Sequence, residues 1–135
     1  MMNNLPTWRV WVILLLLAFS MCDLLLTFYY VHQYKKWQSD KPYNLIENNP
    51  LLVFLWNTFG LKLGMFIGSV MILSLMYIIG RSAHPIVVGI VFLVLCYALF
   101  NHHQNINLLV KLMQQYPDGH LPVKTFGNVV GNNIK

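Results

Sequence analysis

Apolar residues fill three long stretches of this chain, and polar residues gather between them. The stretches run from Val10 to Val31, from Leu51 to Gly80 and from Pro85 to Val110. Roughly 20 apolar residues cross a bilayer as a helix, so each stretch is long enough to span. The pattern predicts an all-α membrane protein, a bundle of three long transmembrane helices over residues 7–36, 50–80 and 85–116. Residues 1–116 then form one transmembrane domain and residues 117–135 a polar tail.

Punctuation residues support these boundaries. Pro6 precedes the first helix, where a proline is tolerated, and Asn49-Pro50 and His84-Pro85 place a proline at the first position of the other two. Asn49 reads as an N-cap, and Glu47 lies just before the positive helix end, where an anion is favoured. Trp8 and Trp11 suit one membrane interface and Trp37 the other. Pro117-Asp118-Gly119 reads as a turn, and the tail after it as only partly ordered. The second helix either runs unbroken, at about 46 Å for 1.5 Å per residue, or breaks near Gly60. The first helix has nearly the same length, which favours the unbroken form. A break would leave Leu51–Phe59 as a short interfacial or re-entrant piece.

Arg9 followed by Val10–Ser20 also resembles the start of a signal peptide, with Ala18-Phe19-Ser20 as a cleavage site. Apolar residues continue through Leu24 to Val31, however, which favours a retained helix.

Composition agrees with membrane residence. The chain has 135 residues, 57% hydrophobic and 10% charged, against about 25% charged in soluble domains. Its net charge of +5 shows no basic stripe interleaved with aromatics, which argues against a nucleic-acid partner. The cations bear on topology instead. Arg9 and Arg81 flank one side, and Lys35, Lys36, Lys41, Lys111, Lys124 and Lys135 flank the other. The lysine excess predicts an integral cell-membrane protein with its N-terminus outside and its C-terminus cytoplasmic. Cys22 and Cys96 lie in apolar runs and form no zinc or disulfide pattern, so core packing is their expected role.

Ionisable residues interrupt all three stretches. Counted from the expected cytoplasmic helix ends, Asp23 and Lys62 lie roughly 18 Å deep, and His102 and His103 roughly 15–17 Å. A lone charge in hydrocarbon is costly, so a shared depth predicts that these groups meet. Ser20, Asp23, Thr27, Tyr30 and Tyr34 form one stripe at spacings of three and four. Adjacent histidines point about 100° apart on a helix, so only one of the two is expected to join Asp23. His102 shares its side with Asn105, and His103 shares its side with Asn107. The predicted polar layer is thus Asp23, Thr27, Lys62, His102, His103 and Asn105. It reads either as a structural ion pair with satisfied amides or as a proton- or ion-handling site. A transition metal on Asp23, His102 and His103 is the less favoured form, since zinc takes three or four ligands, and no other cofactor is expected.

Gly60, Gly64 and Gly68 recur every four residues and would let another backbone approach closely. The approaching helix belongs either to this chain or to another subunit. Met65, Met71 and Met76 read as apolar filler.

The order Asp23-x-x-x-Thr27, Glu47-x-Asn49-Pro50, Lys62 and an Asn-rich end to the third helix resembles a family of small uncharacterised archaeal and bacterial membrane proteins, known as a domain of unknown function. The resemblance covers roughly residues 15–108. It implies a compact bundle of three or four membrane helices and supplies no activity. The pair His102–His103 has no counterpart in that pattern.

Three functions follow as expectations. The leading one is an accessory or structural subunit of a larger membrane complex, with the lipid bilayer and other subunits or further copies as partners. The second is an oligomeric proton or cation pathway through the polar layer. The third is an intramembrane enzyme on an apolar substrate with Asp23 or Glu47 as acid/base, although no nucleophile motif or other assignable catalytic residue is present.

Overall fold

A computed structural model of the chain describes residues 5–40, 43, 47 and 49–120. Lys41 and the tail beyond His120 lie outside the described residues. Among the described residues the helices are four: α1 over Thr7–Trp37, α2 over Pro50–Phe59, α3 over Leu61–Ser82 and α4 over Pro85–Gln115. The architecture is a helical bundle. Three of its helices, α1, α3 and α4, are long and apolar enough to cross a membrane.

α1 is the central element. Ile13, Leu16, Ser20, Leu24, Thr27, Val31 and Tyr34 are buried along it. Their steps of three and four residues place them on one stripe, the period by which a helix presents a face to its neighbours. α3 packs on one side of α1 and α4 on the other. Gly80 of α3 lies against Ile13 near the start of α1, so α1 and α3 are antiparallel. At the other end, the Trp37 indole N–H donates to the Tyr116 carbonyl at 2.9 Å, so α1 and α4 are parallel.

Side chains of α1 hold both ends. Arg9 Nη1 donates to the carbonyls of Gly80, Arg81 and Ala83 at 3.2, 3.0 and 3.1 Å. These carbonyls end α3, where a helix leaves acceptors unpaired and favours a cation. Beyond Trp37, the Gln38 side-chain amide donates to the Gly119 carbonyl. Gly119 has φ +72°, a conformation that suits glycine at this turn.

The second apolar stretch is not one helix. It breaks at Gly60, which has φ 78° and ψ 166°, a region that residues with a Cβ rarely enter. The chain then reverses. A Cβ on Gly64 would stand 2.7 Å from the Leu55 carbonyl oxygen, and one on Gly68 would stand 2.7 Å from Leu52 Cδ2. Counting back along α2 while counting forward along α3 shows that the two run antiparallel. α2 therefore lies beside the first part of α3 as a short return helix. The length match with the first helix misled the unbroken reading, because length carries no information about a reversal at one residue.

Asn49 caps α2 as expected: Leu51 N–H donates to Asn49 Oδ1 at 3.1 Å. His84, not read as a cap from the sequence, acts as one on α4, where Ile86 N–H donates to its Nδ1 at 3.3 Å. Glu47 Oε1 accepts from the Asn49 N–H at 2.8 Å, which locks the approach to α2. α3 continues through Ser82, two residues past the expected helix end at residue 80.

Two core clusters result. Toward the Trp37 end, Leu24, Val31, Tyr34, Leu52, Trp56, Met65 and Leu109 join all four helices. Toward the Arg9 end, Leu16, Val88 and Leu95 form a smaller one. Much of the surface outside them is apolar. α4 buries only Val88, Leu95 and Leu109, while Ile86, Leu93, Val94, Tyr97 and Phe100 are exposed. An apolar exterior of this kind is what lipid tails solvate. Cys22 and Cys96 are also on the exterior. That corrects the expectation of core packing, since both fall on helix faces turned from the α1 seam.

Candidate functional site: the Asp23, Thr27 and His102 cluster

One polar cluster lies between α1 and α4. Asp23 and Thr27 are one turn apart on α1, so their side chains project to the same side. α4 brings His102 between them. Thr27 Oγ1 and His102 Nε2 are hydrogen-bonded at 3.0 Å, and the same nitrogen lies 3.2 Å from Asp23 Oδ1. Thr27 is 2% exposed, and the His102 and Asp23 side chains are 16% and 23% exposed. The cluster is thus shielded without being sealed.

One imidazole nitrogen serves two partners, and this limits the chemistry. With a hydrogen on Nε2, the ring donates toward the carboxylate or the hydroxyl oxygen. Without it, Nε2 accepts from the threonine hydroxyl, and the carboxylate then faces a lone pair unless it carries the proton itself. Asp23 Oδ1 and His102 Nδ1 have no aligned hydrogen-bond partner among the described residues, and neither does Ser20 Oγ one turn away. The 3.2 Å contact is therefore a close approach rather than a well-directed hydrogen bond.

The other expected members lie elsewhere. Lys62 is exposed in the first turn of α3 and pairs with neither Asp23 nor His102. Depth had been counted from Pro50 as a helix end, but the reversal at Gly60 removes that baseline. Across the α1–α3 groove, Leu24 and Leu25 face Ser69 and Val70. Lys62 thus lies about 12 Å from the Asp23 level, toward the Trp37 end. His103 is exposed and bonds to Asn107 within its own helix at 3.1 Å, so it does not join Asp23. Asn105 is half-buried on a neighbouring face. It lines a surface groove of about 420 Å³ with Asn101, Gln104, Asn107, Leu108 and Lys111. Glu47, Asn49 and Pro50 form the start of α2, and Gly60, Gly64 and Gly68 form the α2–α3 junction. Among the described residues no group of three His, Cys, Asp or Glu side chains converges as a metal site.

Two structural anchors were not singled out from the sequence. Arg9 had served only as a topology marker, and Trp37 only as an interface residue. An arginine opposite a helix C-terminus is a recognisable signal only when the pairing of helix ends is known.

No protein-family model, curated protein or solved structure matches the chain.

Proposed function

We propose that this chain is a small accessory subunit of a larger membrane assembly, with its N-terminus outside, its C-terminus cytoplasmic, and α4 as the helix that docks. The observation that carries this reading is the outward face of α4. Gln104 is exposed and Asn101 and Asn105 are half-buried, near the level of the Asp23–His102 contact. Amides facing hydrocarbon without partners are costly, and membrane helices satisfy them by bonding to another helix. The glycine seam does not supply this docking face, because α2 of the same chain fills it. Extraction in mild detergent at native expression, followed by native sizing, tests the reading. Migration with other membrane proteins supports it, and migration as a lone protomer overturns it.

A second reading, an oligomeric proton or cation pathway, is favoured by the Asp23–His102 contact. A carboxylate and an imidazole nitrogen within 3.2 Å are groups between which a proton can be exchanged. Vesicles carrying the protein and vesicles carrying Asp23→Asn should then differ in proton flux. Equal flux at background level removes this reading.

A further inference from the structure

We infer that the groove between α1 and α3 holds one anionic phospholipid, with an acyl chain along the groove and the phosphate on Lys62 and His32 at its mouth. The site is separate from the outward face of α4.

The groove is a depression of about 330 Å³ lined by Met21, Leu25 and Phe28 of α1 and by Phe66, Val70 and Leu73 of α3. Leu25, Phe66 and Val70 are exposed, so it opens to the exterior. No charged side chain lines it.

Both walls continue into basic residues at the same end. Lys62 stands one turn before Phe66 on α3, and His32 stands one turn after Phe28 on α1. A step of four residues keeps each on the face that lines the groove. The antiparallel register sets them at one level. Ile13 meets Gly80; nineteen residues on from Ile13 is His32, and nineteen back from Gly80 is Leu61, the neighbour of Lys62. Lys62 and His32 are both exposed. The His32 ring stacks on Phe28, with centroids 5.9 Å apart and planes at 18°, which holds the imidazole over the end of the groove. Lys36, also exposed, follows one turn further along α1.

Charge and length select the occupant. α3 contains no acidic residue, and the single one of α1, Asp23, faces His102 of α4. The two helices thus offer Lys62 no carboxylate. Lys62 also stands in the first turn of α3, at the positive helix end. Basic pockets between membrane helices bind acidic headgroups in this way. From Lys62 to Leu73 the groove runs about 16 Å at 1.5 Å per residue. One leaflet is half of a hydrocarbon core of about 30 Å, so an acyl chain ending near Leu73 brings its phosphate beside Lys62. The lysine stem lies along the apolar wall while its ammonium reaches the headgroup. A free anion would meet only the mouth, and an uncharged apolar ligand would leave the cations unused.

The test uses the full chain in mild detergent, titrated with phosphatidylglycerol or phosphatidylcholine of the same acyl chains, with bound lipid counted by native mass spectrometry. One phosphatidylglycerol should be retained per protomer, about tenfold more tightly than phosphatidylcholine. Lys62→Gln should remove most of that preference, and Lys62→Arg should keep it. Val70→Trp fills the groove from an exposed position and should weaken both lipids. Lys111→Gln, which changes an exposed lysine on α4, should bind as the parent does. Excess inorganic phosphate should not displace the lipid. Equal retention of the two lipids, a loss in Lys111→Gln matching that in Lys62→Gln, unaltered binding in Val70→Trp, or displacement by inorganic phosphate overturns the inference.

Discussion

The Leu55 carbonyl oxygen sits 2.7 Å from the point where a Cβ on Gly64 would stand. Two backbones meet there, and neither has a flexible side chain that can yield. Gly64→Ala must therefore push α2 off α3, at a cost of about 1–3 kcal/mol for overpacking. Gly68 meets only the end of the Leu52 side chain, so Gly68→Ala should cost less. Gly89 on α4 has open space around it, and Gly89→Ala should be neutral or stabilising, by up to about 1 kcal/mol. Unfolding midpoints of the three variants in one detergent check this ranking.

The reversal at Gly60 makes a separate prediction. No atom lies within 4 Å of a Cβ there, yet φ is +78°. Gly60→Ala would therefore be costly through its backbone alone, at about 1–3 kcal/mol. Space-filling cannot rescue it, so Gly60→Ser should be as destabilised as Gly60→Ala. A serine variant as stable as the parent, by the same unfolding assay, would contradict the geometry.

Arg9 Nη1 faces three carbonyls with two hydrogens, so the three contacts share them. Removing the guanidinium leaves several acceptors at the end of α3 without their donor. Arg9→Gln should destabilise the bundle by about 1–3 kcal/mol. Arg9→Lys should retain part of the loss, because an ammonium supplies three donors and the charge that a helix C-terminus favours. Chemical denaturation, with hydrogen exchange at the α3–α4 connection, measures both.

What the sequence conveyed, and what it did not, follows from the range of each signal. The three apolar stretches, the Asn49 cap and the stripe through Asp23 and Thr27 are local or periodic, and they were legible. The meeting of Asp23 with His102 was partly legible, because two helices with known ends can be laid side by side. Lys62 was misplaced because its depth depended on the conformation of one residue, Gly60. A glycine permits a positive φ but does not require it, so the sequence leaves both courses of the chain open there. The Arg9 clasp was hidden for a related reason: it joins groups more than seventy residues apart, and only the antiparallel pairing of α1 with α3 brings them together.

The separation of Lys62 from Asp23 gives the most discriminating prediction, because it sets two double-mutant cycles against each other. Residues that share a buried contact show coupling of about 0.5–3 kcal/mol, whereas distant independent sites add within about 0.3–0.5 kcal/mol. Asp23 and His102 approach to 3.2 Å, so Asp23→Leu and His102→Leu should each destabilise more than half of what the double variant does. Losing one partner strands the other polar group between α1 and α4, while losing both leaves an apolar contact. Lys62 is exposed at the start of α3 and makes no contact with the pair. Lys62→Met should therefore add to Asp23→Leu without coupling. Coupling between Lys62 and Asp23 as large as that between Asp23 and His102, measured by unfolding in the same lipid, would restore the three-membered layer and overturn the placement of α3.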